Sequence, residues 1–187
     1  NKRVLEAYKQ YIQKLFMLTG DDEATAQKKM ETVLAIETRI AKASYDNVKL
    51  RDIDANYHKM SYLQLVRDYP GIDWGNVLLA SGFPAIDSVD VGQPEPIHEV
   101  EKILNDTPLE DLKTYAESKV ISGASGLLSD DFRKASFEFN TVMSGVKQDR
   151  PRWKRAASLA SGNLGEALGK LYVEKYFPQS SKDYMVG

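Results

Sequence analysis

Apolar residues recur at steps of three and four through most of the chain, and that spacing restricts it to packed helices. In the first segment, Arg3 to Leu18, the stripe is Leu5, Tyr8, Ile12, Leu15 and Phe16. Gly20 stops it, because glycine accepts the left-handed backbone that closes a helix. Asp21 or Asp22 then caps a second helix reaching about Ala43. Its stripe is Met30, Val33, Leu34, Glu37, Ile40 and Ala41.

Later segments are shorter and irregular. Tyr45 to Asn56 is polar and aperiodic and reads as a loop. Ser61 with Gln64 matches a capping box and opens a helix to about Asp68. Pro70-Gly71 reads as a turn, and Asp73 caps a helix from Trp74 to about Ser81. Gly82, Phe83 and Pro84 stop that helix. Ile86 to Val91 allows one short strand, and Gln93-Pro94-Glu95-Pro96 reads as a rigid connector. Ile97, Val100, Ile103 and Leu104 predict a short helix. Thr107-Pro108-Leu109-Glu110 predicts a capped start for another, ending near Ile121. Ser129 caps the next, with Phe132, Ala135, Phe139, Val142 and Met143 on it, and a last helix spans about Arg152 to Tyr176. No repeat is present at any period from about twenty to fifty residues, which excludes a solenoid. The expectation is all-α: one irregular multi-helix lobe over residues 1–187, with at most one short strand.

Composition narrows the chemistry. Without cysteine there is no disulfide, thiol nucleophile or thiolate metal site. No apolar run is long enough to span a membrane. Net charge is −2 but uneven: residues 68–117 hold eleven acids against two bases, and residues 147–182 hold eight bases against three acids. Such asymmetry suggests faces that pair with each other or with something outside the chain. The chain begins at Asn1 without methionine and reads as a piece of a longer protein.

Four patterns are candidates for a site. His98-Glu99-Val100-Glu101-Lys102 begins like the zincin motif, in which two histidines four residues apart grip zinc from one helical face. Lys102 stands where the second imidazole is needed, and His58 is the only other histidine. The motif therefore fails, and His98 reads as a polar residue near a helix start. The stretch Lys147 to Arg155 sets five bases around Trp153 and could stack and neutralise single-stranded nucleic acid. The net acidity of the chain opposes that and favours pairing with protein. Gly162, Gly165 and Gly169 match neither the dinucleotide fingerprint nor the Walker loop. They read as a small helix face that lets neighbours approach, which predicts a central position for that helix. The acids Glu37, Glu99, Glu101, Glu110 and Asp111 read as solvated helix faces. No serine sits in a nucleophile elbow. The residues themselves thus supply no catalytic, cofactor-binding or metal-binding set.

Arg150-Pro151-Arg152-Trp153-Lys154-Arg155, then Gly165 to Val173, Tyr176-Phe177 and Ser181-Lys182, resembles a familiar stretch of the neprilysin and endothelin-converting-enzyme family of zinc metallopeptidases. Asn56-Tyr57-His58-Lys59-Met60-Ser61 resembles that family's Tyr-x-Lys-Met-Ser/Thr segment, and Ile72-Asp73-Trp74 fits after it. Lack of cysteine resembles bacterial oligopeptidases of the family. The resemblance implies a two-lobed metallopeptidase in which one lobe binds zinc through His-Glu-x-x-His and the other caps the cavity. These residues correspond to the capping, non-catalytic N-terminal lobe. The resemblance further implies that the zinc and the catalytic residues belong to a domain C-terminal to Gly187, so no catalytic residue of the family is carried over to any position here. The implied partners are that catalytic domain and peptide substrates. The compartment stays open between the bacterial cell envelope and the cytoplasm.

Two readings of different kind follow: the substrate-restricting lid of a zinc-dependent oligopeptidase, or a helical protein-interaction module with no enzymatic role. Nucleic-acid binding is expected to be absent. Titration of single-stranded DNA at low and high salt should show no salt-dependent binding, whereas affinity falling steeply with salt would make Lys147–Arg155 a nucleic-acid interface.

Overall fold

A computed structural model describes residues 2–83 and 85–186. The described residues form two compact units, one running to Ser144 and one starting at Gly145.

The first unit is built around its two long helices. Helix α1 (Lys2–Leu18) closes at Gly20, whose φ of 109° suits glycine. There the Asp21 N–H donates back to the Phe16 carbonyl, capping the last turn. Of the two candidate caps, Asp22 is the one used: its Oδ1 accepts from the Thr25 N–H at 2.7 Å and starts α2 (Glu23–Ala43). Asp21 instead pairs with Lys29 at 2.7 Å. The predicted stripes meet in one core of Ile12, Leu15, Phe16, Ala26, Met30, Val33 and Ile121. Ile121 comes from α6 (Leu109–Ala124), and α7 (Asp130–Ser144) lies along α1. There Phe139 stacks on Tyr11 with ring centroids 5.2 Å apart.

A smaller core lies under the middle segment. Two short 3-10 turns occupy the predicted loop, Lys49–Arg51 and Asp54–Asn56. The strand expected within residues 86–91 is β2 (Ser88–Asp90). It needs a hydrogen-bonding partner and finds one in β1 (Lys59–Ser61), antiparallel, with Met60 opposite Val89. Ser61 then caps α3 (Tyr62–Asp68), and both halves of the capping box with Gln64 are made. Asp73 caps α4 (Trp74–Ala80) through the Asn76 N–H. Leu65, Tyr69 and Val91 are buried together here, covered by Met60, Tyr62, Trp74, Val89 and Ile97. Pro84, one of the expected helix stops, lies outside the described residues.

Three local expectations are corrected. The Gln93–Pro96 connector is largely helix, because Pro94 opens α5 (Pro94–Asp106), where a missing N–H costs nothing. Thr107 ends α5 and does not cap α6: its hydroxyl turns to Asp106, Glu110 pairs with Lys113, and Pro108 is the N-cap residue. In the second unit the single helix expected over 152–176 breaks in two. Helix α8 (Arg152–Asn163) stops at Leu164, whose φ, ψ of −120°, 27° leave helical space. Helix α9 (Gly165–Tyr176) resumes at once, and α10 (Gln179–Val186) follows. Gly162 and Gly165 flank the break, where glycine's backbone freedom weakens the helix.

Phe16 is fully buried where α1 meets the chain's main core. Phe16→Ala should destabilise the first unit by about 3–5 kcal/mol, read as a lower denaturant midpoint.

Candidate functional site

The acidic middle segment forms part of an open concave surface in the first unit. An open cavity of about 650 Å³ lies between α5, the Pro70-Gly71 turn and the end of α2, lined by Ala43, Gly71, His98, Glu99, Glu101 and Lys102 among others. It therefore gathers the zincin-like residues of the sequence, and each is already engaged.

Glu101 is buried, and its Oε1 accepts from the Gly71 N–H at 2.7 Å. A Cβ at position 71 would stand 3.2 Å from that oxygen, so the turn needs glycine for close approach. The other Glu101 oxygen lies 3.3 Å from His98 Nδ1, and the His98 ring rests on Tyr69 with centroids 4.5 Å apart. Burial raises the pKa of the Tyr69 phenol, with nearby carboxylates adding to it. Glu99 faces away from any imidazole. It accepts from Arg39 Nε at 2.7 Å, and Lys102 approaches it at 3.8 Å.

Arg39 is the residue that sequence reasoning missed. From α2 it reaches α5 twice: Nε binds Glu99, and the two terminal nitrogens bind both Asp106 oxygens at 2.7 and 2.9 Å. The signal was present, since Glu99 and Asp106 are seven residues apart and share a helix face. What faced them needed the tertiary fold. The Asp106 hydrogen bonds, then those of Glu99, raise the Arg39 pKa, and Arg39 in turn lowers that of Asp106.

The remaining candidates are apart from this cavity and equally occupied. Glu37 on α2 pairs with Lys119 of α6. Burial and then Glu37 raise the Tyr8 pKa. For Lys119 burial works downward, but the Glu37 bond and charge outweigh it and the pKa rises. Glu110 bonds Lys113 at 2.8 Å, and Asp111 stands in the first turn of α6, where it favours the helix dipole. His58 lies at the small sheet, its Nδ1 at 2.9 Å from the Val91 carbonyl, which assigns the proton to that nitrogen. Among the described residues no three histidine, aspartate or glutamate side chains gather as a metal-binding group. These residues therefore do not fit a zinc ion.

In the second unit Arg155 donates to the Arg150 carbonyl and lies 3.4 Å from Asp149, which answers part of the positive charge at the start of α8. Trp153 is exposed, with Lys154 over its ring at 5.4 Å. Gly162, Gly165 and Gly169 do not lie at a close approach of helices: a Cβ on any of them would meet no atom within 4 Å. The central position expected for that helix is thus not found among the described residues. None of these helices is long and apolar enough to cross a membrane.

A family model described as peptidase family M13 matches residues 1–186. The chain belongs to peptidase family M13. It is 32% identical over 98% of its length to endothelin-converting enzyme 1 of Rattus norvegicus, and 27% identical over 97% to neprilysin-2 of Drosophila melanogaster. It spans only 25% and 26% of those two proteins. Zinc metalloprotease Zmp1 of Mycobacterium tuberculosis, solved with an inhibitor, superposes with a TM-score of 0.89 at 33% identity. That match covers 98% of this chain and 28% of Zmp1, and the open state of Zmp1 gives 0.89 as well. The fold is therefore that of the neprilysin-like N-terminal domain of the M13 family, as the resemblance implied.

The Arg39 clamp has a pH signature. Asp106 is held below its ordinary value of 3.8, so the stability it contributes is present above that value and is lost as pH falls through the lowered one. Arg39→Met should lower the melting midpoint at neutral pH and flatten its fall between about pH 5 and pH 3 relative to the wild type. Parallel acid curves for the two proteins would show that the clamp does not set the acid response.

Proposed function

We propose that these residues form the non-catalytic, substrate-restricting part of a longer zinc-dependent metalloendopeptidase that hydrolyses oligopeptides. The observation that carries the reading is the family match over 1–186, together with the likeness to Zmp1 across 98% of this chain and only 28% of that protease. A capping element needs stable helices and no reactive groups of its own, because its work is to exclude water and bulky proteins from the reacting centre. The acids and histidines of this chain suit that role, since each named above already holds a turn, a helix or a sheet in place. Zinc, in this reading, is bound by polypeptide other than these residues and supplies the activated water there. The partners are that catalytic part of the same protein and peptides that enter the cavity. Both compact units belong to one lobe.

The test uses an internally quenched peptide. Full-length protein should cleave it, lose the activity to a zinc chelator and regain it with zinc. Residues 1–187 alone, with zinc added, should give no turnover. Chelator-sensitive cleavage by the pure 1–187 segment would place a catalytic centre inside it and overturn the reading. Full-length protein that cleaves no peptide with zinc present would favour the interaction-module alternative.

A further inference from the structure

We draw no further inference here: the strongest candidate, the apolar groove between α1 and α7 lined by Val4, Leu5, Tyr8, Phe139 and Met143, carries nothing because nothing in the structure shows what covers it.

Discussion

The first unit depends on α2 being held from several sides at once. Its apolar stripe, from Ala26 through Met30 to Val33, is packed by Ile12, Leu15 and Phe16 of α1 and by Ile121 of α6. Its polar edge carries Arg39 to α5 and Glu37 to α6. Most of the stabilisation comes from the first set, because burial of apolar side chains is worth about 1.5–3 kcal/mol each. The second set is largely exposed, and such pairs are worth little individually. Their contribution is register. A bidentate guanidinium accepts a carboxylate in one geometry, so Asp106 fixes where along α2 the helix α5 can lie. The cavity walled by α5 takes its shape from that choice.

The same accounting gives the two carboxylates and the histidine of the acidic segment structural partners. Catalytic groups are recognised by a perturbed pKa on a side chain still available to substrate. Here several of the perturbed groups are engaged in holding helices together, among them Tyr8, Arg39, Asp106 and Lys119. Glu101 binds a backbone N–H, and His98 lies between that carboxylate and an aromatic ring. Removing any of these would loosen a turn or a helix before it removed a reaction.

What the sequence made legible was what local physics decides. The inner part of the α1 stripe, the Gly20 stop and the caps at Asp73 and Ser61 stand as read, because each depends on residues within one or two turns; the α2 stripe was only partly right, since Ala26 and Ile36 are buried and Ala41 is exposed. The misreadings share a different cause. Thr107, Pro108 and Glu110 had the chemistry of a capping box, but the Thr107 hydroxyl turns to Asp106 and Glu110 to Lys113, so neither half of the box is made. Pro94 and Pro96 suggested a rigid connector because proline breaks helices in their interior, yet near a first turn the same ring favours one. β1 had no periodicity to show, being short, and became a strand only because β2 lay beside it. Gly71 and Glu101 are thirty residues apart, and nothing in either neighbourhood announces the other.

Gly162, Gly165 and Gly169 were read as a face for close helix packing, and the three have since parted. Gly162 and Gly165 flank Leu164, where the backbone leaves the helix, so a break accounts for both. Gly169 has no such account within the chain, and it stands among leucines and tyrosines that water meets on one side. No side chain of α8, α9 or α10 is buried, whereas the first unit has two buried apolar clusters. The first unit can fold on what it contains. The second has the secondary structure of a folded unit without the burial from which short helices draw their stability.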